Sequence, residues 1–169
     1  VFGTLVFAGL FAWYAKDLSF MYVASSNLVA KARLQIIVTS NSGITVYIDN
    51  VQWFATTSGP APDPNPNPVN LLVNGDFETG LTGWSTDSTG ITLDTNSNGS
   101  ASSPKNSVKL TNISSKNSHL FAPKVAVIPG KAYMISCDLK IVSLSGEVGF
   151  YIDEYDINGN WISGQYIFT

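Results

Sequence analysis

Residues 69–85 read VNLLVNGDFETGLTGWS, a stretch with the character of a domain opening although it stands well inside the chain. It follows ATTSGPAPDPNPNPV, residues 55–69, which is rich in proline and asparagine. Repeated proline removes amide donors and holds the backbone extended, so residues 55–69 are predicted to form a semi-rigid linker. This linker is the clearest boundary in the sequence, and it separates residues 1–54 from residues 70–169.

Both parts alternate apolar and polar residues with period two, the pattern of half-buried β-strands. In AKARLQIIVTS, for example, Leu34, Ile36 and Val38 share one face of the predicted strand. Turn signals separate such runs: Pro129-Gly130 predicts a tight turn that pairs the strands on either side, and Asn158-Gly159 predicts a hairpin turn. Many short strands joined by polar turns predict an all-β fold, an antiparallel jelly-roll β-sandwich.

The composition narrows the function classes. The net charge is −3 and charged residues make up 12% of the 169, so the chain has no basic footprint for nucleic acid. Such low charge, with abundant Ser, Thr, Asn and Gly, is typical of an extracellular or cell-surface β protein. The apolar opening of residues 1–15 is shorter than the roughly 18–20 residues of a membrane span; we interpret it as a buried strand. Cys137 alternates with apolar neighbours, which predicts a buried thiol.

Neither part of the chain makes a complete domain by itself. Residues 1–54 supply three or four strands, too few to enclose a core between two sheets. Residues 70–169 end on the apolar strand YIFT, which has no closing partner in that part of the chain. The two parts are therefore predicted to complete a common fold.

Two runs, NLLVNGDFETGLTGW (70–84) and VYIDNVQWF (46–54), together resemble carbohydrate-binding modules of the jelly-roll type, the group around families 4, 9, 16 and 22. In that group an NGDFE-like strand opens the module and a VYIDNV-like strand stands near its end. Here the end-like run comes first. The resemblance implies that residues 1–54 are the C-terminal half of a jelly roll and residues 70–169 its N-terminal half, in circularly shifted order.

Two arrangements account for the shifted order. Either the chain folds on itself as a permuted jelly roll, or each domain is completed by strands from a neighbouring copy, as in donor-strand complementation. The linker spans about 45 Å at about 3.1 Å per residue, which permits both. We favour the second, because a break inside a module serves no purpose in a free monomer.

The function hypotheses follow from these arrangements. The first is a non-catalytic, carbohydrate-binding-module-like repeat unit of an extracellular fibre or surface array, whose partners are copies of itself. The alternative is a glycan-binding module of a secreted glycoside hydrolase, whose partner is a polysaccharide. An enzyme is not indicated, since His119 is the single histidine and no nucleophile motif surrounds it.

The resemblance also implies a structural calcium ion where the first and last strands of the module meet. Its ligands would be Glu78, Asp49 and the carbonyl of Asp76. Calcium prefers six to eight hard oxygens, which two carboxylates, carbonyls and water can supply. A further acidic ligand is missing from SSPKN, residues 102–106, so carbonyls around Lys105–Ser107 would complete the site. The alternative is that Glu78 and Asp49 cap strands at the surface.

The hairpin YIDEYDINGNWISGQYIF, residues 151–168, has two possible registers. A two-residue turn pairs Ile152 with Gln165 and mixes core and solvent residues on one face. A three-residue loop with its glycine in a left-handed bulge shifts the register by one and pairs Tyr155 with Trp161. We predict the second register, because it gathers the apolar side chains on one face.

The predicted register leaves an open sheet face that carries aromatic and polar side chains. The residues predicted there are Tyr151, Asp153, Tyr155, Trp161 and Gln165. Aromatic planes beside hydrogen-bonding groups suit a sugar ring, whose C–H face stacks and whose hydroxyls require partners. Exposed aromatics are equally suited to a contact between copies, so both interpretations stay open.

Overall fold

A computed structural model describes residues 13–40, 43–56, 69–99, 105–112, 116–143 and 145–168. The described part of the chain folds into eleven β-strands. In chain order they are β1 (Trp13–Val23), β2 (Lys31–Ser40), β3 (Ile44–Ala55), β4 (Ser85–Thr86), β5 (Ile91–Asp94), β6 (Ser107–Asn112), β7 (Ser118–Phe121), β8 (Val125–Ala126), β9 (Ala132–Ser143), β10 (Gly146–Tyr155) and β11 (Trp161–Phe168).

The strands form two antiparallel sheets that pack into a β-sandwich, so the predicted all-β jelly-roll class is confirmed. The first sheet has the order β1-β9-β3-β6-β5, and the second has the order β11-β10-β2-β7-β4, with β8 also paired to β2. The core between the sheets includes Tyr22, Trp53, Phe77 and Phe150, all essentially buried. No helix in the described residues is long and apolar enough to cross a membrane.

The first part of the chain supplies central strands to both sheets. β2 lies between β10 and β7, and β3 lies between β9 and β6. Their inward residues, among them Leu34 and Ile48, join a hydrophobic cluster with residues of the later strands. The two parts therefore share a single core in this chain, as their separate incompleteness predicted.

The two signature runs, residues 46–54 and 70–84, which carry the resemblance to carbohydrate-binding modules, lie side by side, as the meeting of the first and last strands in such modules implies. The Leu71 amide donates to the Trp53 carbonyl at 2.8 Å, and the Val51 amide donates to the Gly75 carbonyl at 2.8 Å. Asn70 adds a side-chain acceptor for the Trp53 amide at 2.8 Å. Contrary to expectation, the NGDFE run is not a strand, because its backbone follows a series of turns.

The motif residues serve this turn-rich segment. A Cβ on Gly75 would stand 1.9 Å from the Val51 carbonyl oxygen, so only glycine lets the segment approach β3. Trp84 donates its indole N–H to the Asn74 carbonyl at 3.0 Å, and its ring centroid lies 4.9 Å from that of Phe77. Gly75, Trp84 and Phe77 of the motif thus fold the segment onto β3.

Other local predictions have mixed outcomes. Gly159 adopts φ 89° in the hairpin between β10 and β11, and Cys137 is buried, both as predicted. Gly130 adopts φ 77° in a turn, but the flanking strands do not pair with each other: β8 pairs with β2, and β9 pairs with β1 and β3. The opening run as far as residue 12 and linker residues 57–68 lie outside the described residues.

Glu154 closes one end of the sandwich as a fully buried carboxylate. The Tyr22 hydroxyl of β1 donates to the Glu154 carboxylate at 2.9 Å. The backbone N–H of Ser25 donates to it at 2.8 Å, and the side-chain Nε2 of Gln165 donates at 2.7 Å. Ser163 and Ser25 add hydroxyl donors. Burial opposes ionisation, but these hydrogen bonds outweigh it and hold the pKa of Glu154 below its ordinary value.

We expect Glu154→Gln to lower the free energy of unfolding by about 2 kcal/mol. The NH₂ group of a glutamine at this position would face hydroxyl and N–H groups that now donate to the carboxylate, and buried donors would lose their acceptor. The folded-state pKa lies below the ordinary value of 4.5, so the stability that Glu154 contributes is complete above about pH 4.5. It is lost as the pH falls through the folded-state pKa. Urea unfolding between pH 7 and pH 3 should therefore show a shallower acid loss in the variant than in the wild type.

The matched control is Glu147→Gln, which removes an exposed carboxylate from the same strand. Its stability should stay within about 0.5 kcal/mol of the wild type. Equal stability losses in the two variants would contradict the role assigned to Glu154.

Candidate functional site

The outer face of the second sheet carries a cluster of aromatic side chains, which we call the aromatic face: Phe121, Tyr151, Tyr155, Trp161 and Tyr166. Period-two alternation explains the position of these rings on β10, because Phe150 and Ile152 point into the core while Tyr151 and Tyr155 point outward. Trp161 is 59% exposed and Tyr166 is 67% exposed. Two large aromatic rings on an edge strand are thus open to solvent.

The hairpin register differs from the prediction beyond its first pair. Tyr155 pairs with Trp161 as predicted, but an irregularity follows, after which Glu154 pairs with Ser163 and Ile152 with Gln165. A bulge that absorbs one residue of β11 gives this change of register. The physical reason is the buried carboxylate of Glu154, which the register supplies with polar donors from β11 on the inner face.

Asp153 lies at the centre of the aromatic face and is only 4% exposed. Its Oδ1 accepts the indole N–H of Trp161 at 3.1 Å. Its Oδ2 accepts hydrogen bonds from Nη2 of Arg33 at 2.7 Å, from Nε2 of Gln35 at 2.6 Å and from the Tyr155 hydroxyl at 3.2 Å. Burial alone would raise the pKa of Asp153, but Arg33 and these hydrogen bonds hold it below its ordinary value.

Two of the aromatic rings are covered by cations rather than open. Lys124 places its ammonium 3.6 Å from the ring centroid of Tyr155, and the Arg33 guanidinium lies 5.5 Å from the same centroid. Arg33 also lies 4.5 Å from the centroid of Phe121. Tyr155 is buried in consequence, so it supports the face from below and offers no ring surface to a ligand.

A glycine makes room for the ring of Tyr151 on the same face. A Cβ on Gly164 would stand 2.1 Å from the Tyr151 hydroxyl oxygen, so the phenol ring lies across β11 where a side chain is missing. The ring meets Tyr166 edge to face, with centroids 4.8 Å apart. Tyr151 and Tyr166 therefore form a packed aromatic pair beside Trp161.

Of the five residues predicted to bind sugar, the structure gathers Tyr151, Asp153, Tyr155 and Trp161 on one face. Gln165 is a correction, because it lies on the inner face and donates to Glu154 and to the Val23 carbonyl. Its position follows from the bulge, which turns Ser163–Tyr166 to the side opposite to the predicted one; a second irregularity then pairs Phe168 with Phe150.

Sequence reasoning missed the residues that other strands bring to this face: Arg33, Gln35, Phe121 and Lys124. Alternation along β2 places Arg33 and Gln35 on its polar side, which the sequence does indicate. What the sequence does not show is that β2 pairs with β10 and so places that polar side beside Asp153.

His119 also lies on this side of the second sheet, stacked on Phe121 with ring centroids 5.6 Å apart. Its Nδ1 is 2.6 Å from Oδ2 of Asp87. Burial opposes ionisation of Asp87, but hydrogen bonds with His119 hold the pKa of Asp87 below its ordinary value. Within the described ranges, the hydrogen bonds of His119 go to Asp87 and to no serine or cysteine nucleophile.

Of the residues predicted to bind calcium, Asp49 lies on β3, and Glu78 bonds to Asn106, the residue that precedes β6. Ile48 of β3 pairs with Val108 of β6. Because the two strands are antiparallel, the next residues along them are Asp49 on β3 and Ser107 on β6. Asp49 is buried, and Glu78 accepts the Asn106 amide at 2.7 Å.

Two observations bear on the fit of a cation there. The buried hydroxyl of Ser107 has no hydrogen-bond partner among the described residues, and such an unpaired oxygen fits a hard cation. Asp76, in contrast, has an exposed side chain. Within the described ranges, no group of three or more His, Cys, Asp or Glu side chains has the arrangement of a metal site.

The sandwich and its aromatic face define the class of the molecule as a β-sandwich with a surface suited to stacking ligands. A family model described as a carbohydrate binding domain (CBM_4_9) matches residues 69–167. The match covers more than half of the chain, and the chain belongs to this carbohydrate binding domain family. No curated protein and no solved structure matches the chain at a significant level.

Proposed function

We propose that the protein is a non-catalytic module that binds a polysaccharide chain on the aromatic face. The observation that carries the proposal is the exposure of the indole of Trp161 and the phenol of Tyr166 beside hydrogen-bonding groups. The C–H face of a pyranose stacks on such rings, and binding surfaces of this kind combine a few polar groups with apolar area.

Polar groups that can form hydrogen bonds with sugar hydroxyls lie next to the rings. Arg33 uses Nε and Nη2 for Asp153, and Gln35 uses Nε2. Among the described residues, no hydrogen bond engages Oε1 of Gln35, which leaves an acceptor beside the rings for a sugar hydroxyl.

We expect Trp161→Ala to raise the dissociation constant for a bound polysaccharide at least about tenfold, because the variant loses both stacking and buried apolar area. The measurement is affinity electrophoresis in native gels that contain xylan, mixed-linkage β-glucan or galactomannan. Retardation of the wild type in at least one gel, lost in the variant, is the expected result.

Ile157→Ala is the control for this experiment, since Ile157 is 73% exposed at the hairpin tip and lies outside the aromatic face. It should migrate like the wild type in every gel. The proposal is contradicted if Trp161→Ala is retarded as strongly as the wild type wherever the wild type is retarded.

The second candidate function is a repeat unit of an extracellular fibre or surface array. The observation that favours it is that β2 and β3 are central strands supplied by the first part of the chain. Exchange of residues 13–55 between copies would preserve every strand pair of the sandwich, which is the condition for strand complementation. Both candidate functions place the protein outside the cell or on its surface.

Size-exclusion chromatography with multi-angle light scattering separates the two candidates. Strand exchange predicts masses at multiples of the chain mass of 18.1 kDa, growing with protein concentration. A single peak at the chain mass, at all concentrations tested, would remove the fibre and leave glycan binding as the function.

We further propose a structural calcium ion held by Glu78 and Asp49, with the Asp76 carbonyl and the Ser107 hydroxyl as further oxygens. A bound ion stabilises the folded state by about 2.7 kcal/mol at one hundred times its dissociation constant. EDTA should therefore lower the melting temperature of the wild type by several degrees. Glu78→Gln should melt lower and respond less to EDTA, and a wild-type melting curve that EDTA leaves unchanged would rule out the ion.

A further inference from the structure

The carboxylate of Asp153 is buried and is bonded on both oxygens by protein donors. Its side chain is only 6% exposed, and it accepts hydrogen bonds from four side chains: Trp161, Arg33, Gln35 and Tyr155. Three of these donors bond Oδ2 and Trp161 alone bonds Oδ1, and the burial of the side chain keeps a sugar hydroxyl from reaching either oxygen. Its function on this face must therefore be exerted through the side chains that it holds.

Trp161 is an exposed side chain whose rotation Asp153 restrains by a hydrogen bond. An indole that is 59% exposed on an edge strand has few packing contacts to select one rotamer. The bond from its Nε1 to Oδ1 of Asp153, at 3.1 Å, ties the ring to one orientation. A ring fixed before binding loses less conformational entropy when a ligand stacks on it.

We propose that Asp153 is a positioning residue, whose buried carboxylate holds the indole of Trp161 ready for a sugar ring. Arg33 and Gln35 in turn hold the carboxylate, through contacts of 2.7 and 2.6 Å to its Oδ2. The inference rests on the proposed function, because it concerns the same aromatic face.

The positioning groups come from both parts of the chain. Asp153 and Trp161 lie within residues 69–167, which match the family model, whereas Arg33 and Gln35 lie on β2, outside the match. The matched segment therefore carries the stacking ring, and the first part of the chain supplies the groups that fix it. The binding face is complete only when β2 is paired with β10.

The first readout of the test needs no ligand. In ¹H–¹⁵N spectra of the full chain, the indole N–H signal of Trp161 is assigned by its loss in Trp161→Phe. In Asp153→Asn we expect this signal to shift upfield and to exchange faster with solvent, because its acceptor is weakened. Glu147→Gln, which removes an exposed carboxylate from the same strand, should leave the signal unchanged.

The second readout is affinity for defined probes: xylohexaose, cellohexaose and mannohexaose, measured by calorimetry. Asp153→Asn should raise the dissociation constant of a bound probe roughly three- to tenfold, the effect of freeing one side chain. Trp161→Phe keeps a flat ring but has no N–H to hold. In that background Asp153→Asn should have no further effect, so the double-mutant cycle reports the pair itself.

Thermal melts establish that each variant is folded. If Asp153→Asn does not fold, Gln35→Met is used in its place. This change removes one hydrogen-bond donor to Asp153 and keeps the ion pair with Arg33. A smaller change in the same indole signal is then expected. An indole signal unchanged in the folded variant overturns the inference, as does an equal loss of affinity in the Trp161→Phe background. Failure of every probe to bind the wild type would instead count against the proposed function, while the indole signal still decides the role of Asp153.

Discussion

The backbone pairing of β3 is the constraint on which the rest of the structure depends. This strand bonds to β9 along one edge and to β6 along the other, and its second half also bonds to the turns of Asn70–Gly75. A strand in the middle of a sheet exposes no free amides, and its apolar side chains fill the core. Removing it would leave β6 and β9 as open edges over an unfilled interior. The two parts of the chain are therefore one cooperative unit, whichever copy supplies β3.

The aromatic face inherits this dependence through the second sheet. β2 occupies there the place that β3 occupies in the first sheet, and its polar side meets the outward side chains of β10. Arg33 thereby joins Asp153 by an ion pair and covers the ring of Phe121. The strand pairing that completes the second sheet consequently also builds the aromatic face, and a change that loosens β2 would disturb both.

Much of this architecture follows from local sequence. Period-two alternation gives the strands, Gly159 marks the hairpin, and the order of the two signature runs indicates that they meet. What local pattern cannot give is the partner of a buried polar group. The predicted hairpin register is wrong beyond its first pair because the buried carboxylate of Glu154 takes donors from Ser163 and Gln165 of β11, in addition to Tyr22, which lies 132 residues away along the chain. Gln165 was placed on the wrong face for the same reason.

Asp153 and Glu154 show how one strand serves two purposes. They are chain neighbours on β10, and alternation sends their carboxylates to opposite sides of the sheet. Asp153 faces outward and is held by a cation, whereas the recorded donors to Glu154, which faces inward, are neutral. Both pKa values lie below the ordinary values because hydrogen bonds outweigh the cost of burial, so both groups are ionised at neutral pH. Each carboxylate can therefore accept several donors at once: Glu154 from β1 and β11 on the inner side, and Asp153 from β2 and β11 on the outer side. The pairing of β10 with β11 is thus supported by a buried carboxylate on each face of the sheet.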